Sequence, residues 1–292
     1  MTAPHTSYFI CYTPRCGSTL LGDALAATGV AGKPEEYFNV PDDAGQDRVW
    51  VQDWRTRPFQ EALDRVLHYG STSNGVFASK LLWRELQFLT GALAPSYPDA
   101  ESPAERLAAV FPGLRYIWIT RRDKVRQAVS YFKAMQSGIW DPRYNTRRRV
   151  DPPAFNRQLI ASPLRQIAWQ EAAWAQYFVE SGIAPLTVVY EDLVLDYEPT
   201  IRRVLDYLQV SLPEGFVFPA PRLQKQADAV SEKWVRRYYE AEQAQHRWQT
   251  LANVPAVLLN RTLRNIYIWP KLEKMLNRAP TALKHARRQR VS

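Results

Sequence analysis

The sequence predicts an α/β fold in which a central, mostly parallel β-sheet is flanked by helices on both faces. Short apolar stretches of strand length alternate along the chain with longer amphipathic stretches of helical period. Proline, glycine or a polar capping residue marks the change from one kind of segment to the next. The 292 residues suffice for one large domain or two small ones, and 46% hydrophobic residues are ordinary for a globular protein.

Three strands are predicted in the first half of the chain, at 8–13, 75–79 and 114–120. A helix over 18–28 is expected to stop at Gly29, and a second helix to run over about 83–93. A third helix should begin after the capping residue Asp123 and end near Gln136, before Gly138.

Fewer strands are predicted in the second half. Residues 140–162, with several arginines and three prolines, indicate a loop, and a long helix is expected over about 164–182. A fourth strand at 186–190 precedes helices over 198–208 and about 229–251. Ligands of parallel sheets bind beyond the carboxyl ends of the strands, so the segments that follow the strands are the candidates for chemistry.

The net charge of the chain is concentrated at its C-terminus. Of the formal +9, residues 261–292 carry +8, from nine basic residues against the single acid Glu273. We therefore expect a main domain over 1–260 that is nearly neutral, with no indication of nucleic-acid binding, and a helical, basic extension over 261–292. The apolar residues within the extension suit either peripheral contact with an anionic membrane surface, at its inner face, or a solvated terminus. No apolar stretch approaches the roughly 20 residues of a membrane-spanning helix.

Cysteine and histidine chemistry is not indicated. Cys11 and Cys16 lie too close together, across a strand and its turn, to form a structural disulfide, and a reduced, cytoplasmic setting is the simpler interpretation. The four histidines are scattered without metal-ligand spacing, so we expect no metal and no histidine-based triad.

The segment 13–19, Thr-Pro-Arg-Cys-Gly-Ser-Thr, joins the first strand to its helix. A glycine and two hydroxyl residues at a helix start direct backbone N–H groups and the helix dipole at one point, where an anion such as phosphate binds well. A simple capped helix with an incidental arginine is the alternative. The segment lacks the lysine of a Walker A loop, which disfavours an ATP-dependent phosphotransferase using magnesium.

The second segment begins with Arg122, just after the third strand, and includes Ser130, eight residues later. Two helical turns bring Ser130 to about the same side of the helix as its start. The two side chains could then grip one phosphate group. Taken alone, a solvated arginine and a surface serine explain the pattern equally well.

Together these segments resemble sulfotransferases that use 3′-phosphoadenosine-5′-phosphosulfate (PAPS). The loop at 13–19 is similar to their phosphosulfate-binding loop, the pair Arg122 and Ser130 to their 3′-phosphate clamp, and Tyr190-Glu191-Asp192-Leu193 to a further segment of the superfamily. Several stretches more narrowly resemble the bacterial trehalose 2-sulfotransferase family: 32–38, 80–83, 225–228 and 234–235. The resemblance runs in order over about 7–240 and implies a P-loop-like sulfotransferase fold.

The resemblance also implies roles for individual residues. The 5′-phosphosulfate would be held by the loop residues Arg15, Cys16, Gly17, Ser18 and Thr19. The 3′-phosphate would be held by Arg122, Ser130, Arg222 and Lys225. Glu36 would be the general base, with Glu35 as its rival, and we expect burial to raise the pKa of this glutamate. Arg15, and after it Lys80, would offset the charge that builds on the transferred sulfuryl group.

The acceptor is implied less narrowly, as trehalose or a glycolipid-type sugar. The family pattern is acidic at the position of Lys33, and this departure would either remove a contact to a sugar hydroxyl or select an acceptor that carries its own negative charge. Candidate acceptor contacts, each with a core or surface alternative, are Lys33, Glu36, Phe38, Arg48, Gln52, Trp54 and Trp83. The product would be adenosine 3′,5′-bisphosphate. Family members include dimers, so a homodimer is an open expectation, and a binding protein with a decayed nucleotide site is the non-enzymatic alternative.

Overall fold

The computed structural model describes residues 4–39, 48–140, 154–220 and 229–252, with side chains up to residue 244. The chain divides into two compact units, Met1–Glu232 and Lys233–Ser292. All of the elements below belong to the first unit except the last helix, which begins in it and continues into the second. The predicted boundary at 260 and the basic extension over 261–292 lie outside the described residues.

Four parallel strands form the sheet of the first unit. They are β1 (Thr6–Tyr12), β2 (Val76–Leu82), β3 (Arg115–Thr120) and β4 (Leu186–Val189), in the spatial order β2-β1-β3-β4. Ile10 is in register with Lys80 on one side and with Ile117 on the other. The four predicted strands and the α/β class are confirmed.

Two hydrophobic cores cover the two faces of the sheet. Alternate residues of β1 point to opposite faces, so that Ile10 packs in one core and Phe9 in the other, both fully buried. In a strand that is buried on both faces, apolar and polar residues do not alternate, which explains why β1 is a continuous apolar run. The second core is strongly aromatic, with Phe9 in edge-to-face contact with Phe111 at 4.9 Å.

The helices of the first unit surround the sheet. Their bounds are α1 (Ser18–Ala27), α2 (Val49–Thr56), α3 (Phe59–Gly70), α4 (Trp83–Leu93), α5 (Pro103–Val110), α6 (Lys124–Ser137), α7 (Arg157–Glu180), α8 (Tyr190–Leu195) and α9 (Tyr197–Leu208), with a 3₁₀ turn at Ala94–Ser96. The last helix, α10 (Ala229–Ala252), continues into the second unit. The predicted caps of α6 are confirmed: Asp123 accepts from the N–H of Arg126 at 2.8 Å, and Gly138 ends the helix at φ 68°. Helices α2, α3, α5 and α8 were not predicted.

The start of α7 corrects one expectation. Residues 140–162 were expected to form a loop, but the helix begins at Arg157, where Asn156 accepts the N–H of Leu159 at 3.0 Å. Proline removes a helical hydrogen bond, so Pro163 indicated a boundary rather than a helix interior. Ile160 and Pro163 are both buried on one helical face, and this packing outweighs the local cost.

Among the residues that the structure describes, no helix is both long enough and apolar enough to cross a membrane.

Candidate active site

The carboxyl ends of all four strands lie at one edge of the sheet because the strands are parallel. The loop at 13–19 follows β1, Leu82 ends β2, Thr120 ends β3 and Tyr190 follows β4. The segments that the sequence singled out therefore share one edge, as expected.

The loop after β1 adopts a backbone that most residues avoid. Arg15 has φ 67° and Gly17 has φ 96°, both in the left-handed region. A Cβ atom on Gly17 would lie 2.4 Å from Cδ2 of Tyr190, so the tyrosine ring occupies the space that a side chain would need. Glycine is required here by both conformation and contact, and it brings the backbone to the start of α1, where Ser18 is the first helical residue.

Two buried side chains that the sequence analysis did not assign hold this loop in place. Gln127 of α6 donates through Nε2 to Oγ1 of Thr13 and to the carbonyl of Pro14, both at 2.8 Å. Arg121 donates through Nη1 to the carbonyl of Arg15 at 3.5 Å. Its guanidinium also stacks on the ring of Tyr190, 4.6 Å from the centroid. The only feature of the sequence that pointed to Gln127 and Arg121 as residues near the site was their position close to Arg122.

Cys16 contributes backbone rather than thiolate chemistry. Its side chain is fully buried, and burial raises the pKa of the thiol to about 11. Cys11 is also a buried, free thiol. The thiols are therefore protonated at neutral pH.

A direct contact joins the two predicted anion-binding segments. Arg15 donates through Nε to Oγ of Ser130 at 3.0 Å, and through Nη1 to the carbonyl of Trp140 at 2.6 Å. Ser130 lies two turns into α6, as the spacing predicted. The arginine of the first segment and the serine of the second are thus directly hydrogen-bonded to each other.

Arg122 is placed differently from Ser130. Its guanidinium forms a bidentate pair with Asp192, with both N···O distances at 2.7 Å. Its backbone N–H donates to Glu191 at 2.9 Å. A joint grip of Arg122 and Ser130 on one phosphate stays a prediction, because in the structure each of them contacts another residue of the chain.

A buried lysine and a carboxylate lie at the end of β2. Lys80 is 5% exposed, and its Nζ lies 3.4 Å from Oε1 of Glu36 and 3.9 Å from Oε2 of Glu35. The buried hydroxyl of Tyr12 is hydrogen-bonded to Glu36. A Cβ on Gly22 of α1 would lie 3.7 Å from Cδ of Lys80, so this pair adjoins the helix that follows the anion-binding loop.

The charge state of Glu36 differs from the expectation. Burial by itself would raise the pKa of this carboxyl, but Lys80, the Tyr12 hydroxyl and Arg48 together outweigh it and lower the pKa below its ordinary value. The pKa of Lys80 is raised in turn, because the attraction of Glu36 and Glu35 exceeds the opposing effect of burial. Glu36 is therefore ionised at neutral pH, the state in which a carboxylate can accept a proton.

The two neighbouring glutamates are held in different ways. The Glu35 carbonyl accepts from the N–H of Lys80 at 2.8 Å and from the hydroxyl of Ser79 at 3.0 Å. Its carboxylate pairs with Arg48 at 3.4 Å. Glu36 makes the closer contact with Lys80, at 3.4 Å against 3.9 Å for Glu35.

A third acid near this pair, Glu85, was missed. It is 2% exposed, and Oε2 accepts the N–H of Leu82 at 2.9 Å as part of the α4 capping box. Oε1 is buried without a hydrogen-bond partner among the described residues. Burial first, and then the charge of Glu36, raise the pKa of Glu85 to about 8. It is therefore a neutral carboxylic acid at neutral pH.

The predicted acceptor contacts divide into core and surface. Phe38 is 2% exposed and packs in the aromatic core, Trp83 stacks edge-on against Trp174 at 5.3 Å, and the indole of Trp54 donates to the Tyr37 carbonyl. Lys33 and Gln52 are exposed, and Arg48 lies over the ring of Trp50.

Asn39, which lies beside Glu36, was not among the predicted site residues. Asn39 donates to Glu36 at 3.5 Å and accepts from Arg84 at 2.8 Å. Of the remaining predicted residues, Thr19 is half-buried in α1, whereas Arg222 and Lys225 lie outside the described residues. Within the described ranges, no group of three or more His, Cys, Asp or Glu side chains is arranged to hold a metal.

The fold and the site define an α/β protein with a loop between β1 and α1 that requires Gly17, and a carboxylate–lysine pair beside α1. The chain belongs to the Stf0 sulphotransferase family, whose family model matches residues 7–241.

Two similar proteins carry the name trehalose 2-sulfotransferase. The one from Mycobacterium tuberculosis is 31% identical, with 79% of this chain and 93% of that protein covered. The one from Mycolicibacterium smegmatis is 30% identical, with 80% and 94% covered. A sulfotransferase from Alicyclobacillus acidocaldarius of known structure shows 15% identity over 97% of this chain and all of that chain, with a TM-score of 0.47.

Proposed function

We propose that this sulfotransferase-family enzyme moves a sulfuryl group from PAPS to a hydroxyl of a carbohydrate, either trehalose or a glycolipid-type sugar. The observation that carries the proposal is the ionised carboxylate of Glu36, 3.4 Å from the buried Lys80 and next to α1, the helix that follows the anion-binding loop. Such a pair supplies a proton acceptor and a cation where group transfer to an alcohol requires both.

The loop residues fit an anionic nucleotide. Gly17 takes the left-handed conformation that leads the loop directly into the N-terminus of α1, where Ser18 is the first helical residue. The 5′ end would be held by Arg15 and by the backbone and hydroxyl groups of Cys16, Gly17, Ser18 and Thr19. The 3′-phosphate would be held by Arg122 and Ser130, with Arg222 and Lys225.

The chemistry assigned to the chain is proton removal and charge stabilisation. PAPS, when bound, supplies the sulfuryl group, and adenosine 3′,5′-bisphosphate is released. Glu36 accepts the proton of the acceptor hydroxyl, and the hydroxyl of Tyr12 and the ammonium of Lys80 hold its carboxylate in place. Arg15 and Lys80 carry the positive charge that offsets negative charge on the transferred group, a task that needs no metal in this proposal.

The acceptor class follows from the relatives and from the exposed residues near Glu36. Proteins named trehalose 2-sulfotransferase cover most of this chain, which supports a sugar hydroxyl as the acceptor. Lys33 is exposed, so its ammonium group is open to an acceptor that carries a negative charge. Trehalose, other glycans and glycolipids are therefore the acceptors to test.

Donor binding is tested by calorimetric titration with adenosine 3′,5′-bisphosphate in the absence of magnesium. Wild type should bind it, and Arg122→Ala should bind it more weakly. A wild type that binds ATP with magnesium but not adenosine 3′,5′-bisphosphate would overturn the donor assignment in favour of a phosphotransferase.

The role of Glu36 is tested by sulfate transfer from labelled PAPS, with Glu35→Gln as the matched control. Loss of a positioned general base costs typically about 10²–10⁴-fold. Glu36→Gln should therefore lose transfer by at least about 100-fold while nucleotide affinity is kept, and Glu35→Gln should lose far less. Transfer by Glu36→Gln at the wild-type rate would show that Glu36 is not the base.

A further inference from the structure

The guanidinium of Arg122 is held end-on by Asp192. Nη1 donates to Oδ1 and Nη2 to Oδ2, both at 2.7 Å, so the two planar groups form a bidentate pair. The pair is open to solvent, with 60% of the Arg122 side chain and 44% of the Asp192 side chain exposed. Exposed ion pairs contribute little to folding stability, so the main effect of this pair is on the orientation of Arg122.

Asp192 lies in the short helix α8, which is tied to both predicted phosphate-binding segments. The preceding residue, Glu191, accepts the backbone N–H of Arg122 at 2.9 Å. The residue before that, Tyr190, lies with its ring against Gly17 of the anion-binding loop. The position of Asp192 is therefore set by the same backbone that forms the site.

The bidentate pair leaves part of the guanidinium for a ligand. A guanidinium carries five N–H donors in one plane, and Asp192 takes two of them, one on each Nη. Two of the three donors that remain, Nε–H and the N–H of the Nη next to it, form one side edge of the plane and can donate to a second planar or tetrahedral anion. An arginine already held in one rotamer loses less conformational freedom when the anion binds.

We propose that Asp192 is a positioning residue that presets Arg122 for the 3′-phosphate of the donor nucleotide. Asp192 then contributes to the preference for nucleotides with a 3′-phosphate over those without one. The inference rests on the proposed function, in which Arg122 contacts that phosphate.

The test is calorimetric titration of wild type and Asp192→Asn with two nucleotides, adenosine 3′,5′-bisphosphate and adenosine 5′-monophosphate. The dissociation constant of adenosine 5′-monophosphate divided by that of adenosine 3′,5′-bisphosphate measures how much the 3′-phosphate alone adds to the affinity. Asp192→Asn should lower this ratio about three- to tenfold, by weakening the binding of the bisphosphate and leaving that of the monophosphate unchanged. The reason is that Asp192 acts only through Arg122, which it orients. Asp192→Glu, which keeps the charge, should recover part of the ratio.

The matched control is Glu198→Gln, which removes the carboxylate of another exposed pair, that of Arg202 and Glu198 at 2.6 Å. The ratio in this variant should equal that of wild type. An unchanged ratio in Asp192→Asn would overturn the inference, and a larger ratio would overturn it by showing that Asp192 competes with the phosphate for Arg122. A wild type that binds both nucleotides equally would instead overturn the donor assignment on which the inference rests.

Discussion

Gly17 shows how one residue can control the whole anion-binding loop. Its φ of 96° and the 2.4 Å between a hypothetical Cβ and the Tyr190 ring both exclude a side chain. Gly17→Ala should therefore destabilise the fold by at least about 1–2 kcal/mol from the backbone alone, and should weaken binding of adenosine 3′,5′-bisphosphate. Denaturant unfolding and calorimetry measure the two effects.

The control for this variant is Gly91→Ala, at an exposed position inside α4 where a Cβ would meet nothing within 4 Å. Alanine in a helix interior is favoured over glycine by about 0.8–1 kcal/mol, so this variant should gain stability and keep nucleotide affinity. Equal effects of the two substitutions would contradict the assignment of Gly17 to the site.

Glu85 should make stability depend on pH. The pKa of its carboxyl is about 8 in the folded chain against an ordinary value of 4.5, first because of burial and then because of Glu36. Between these two pH values the unfolded chain binds fewer protons than the folded chain, so stability is present below pH 4.5 and is lost as the pH rises to about 8. Each pKa unit corresponds to about 1.4 kcal/mol.

Glu85→Gln keeps the shape of the neutral acid and removes its ionisation. The variant should therefore be more stable than wild type at pH 8, and should approach the wild-type stability near pH 4.5. Thermal unfolding at the two pH values measures this, with Glu105→Gln, an exposed acid in the first turn of α5, as the control. A constant difference between Glu85→Gln and wild type at both pH values would contradict the assignment of a neutral Glu85.

At the scale of elements, α6 acts as the support of the loop after β1. The side chain of Gln127 binds Thr13 and Pro14 from a fully buried position. Gln127→Ala leaves the Pro14 carbonyl without this donor, which should cost about 1–3 kcal/mol and weaken nucleotide binding. Gln176→Ala on the exposed face of α7 is the control, and equal affinities in the two variants would contradict the support role.

The elements also show where local sequence patterns were sufficient. The caps Asp123 and Gly138 are local signals, because each acts on backbone groups within one turn of itself, and both helix ends of α6 were predicted from them. The start of α7 was not, since Pro163 is a local signal for a boundary that buried contacts of the same helix override. Helix α3 also carries a local signal, an apolar face on which Ala62, Leu63 and Val66 are buried, and the sequence analysis missed it.

At the scale of the whole molecule, ligand binding should stabilise the first unit as one cooperative body, because the proposed donor site draws on segments that follow β1, β3 and β4. Adenosine 3′,5′-bisphosphate at 100 times its dissociation constant should add about 2.7 kcal/mol to unfolding. Glu36→Gln should show the same increase in melting temperature as wild type, and Gly17→Ala a smaller one. An absence of any increase in wild type would contradict the donor site.

The sequence by itself determined the α/β class, the four strands and the position of the loop between β1 and α1, because apolar runs, caps and glycine act over a few residues. Only the tertiary structure decided which side chains meet. It brought Arg15 to Ser130 and Arg122 to Asp192, and it placed Tyr190 against Gly17, across separations of 70 to 173 residues. It also reversed the expected pKa shift of Glu36, because Lys80 on β2, 44 residues away, outweighs burial together with Tyr12 and Arg48. Electrostatic effects depend on distance in space, and the order of residues along a chain does not specify that distance.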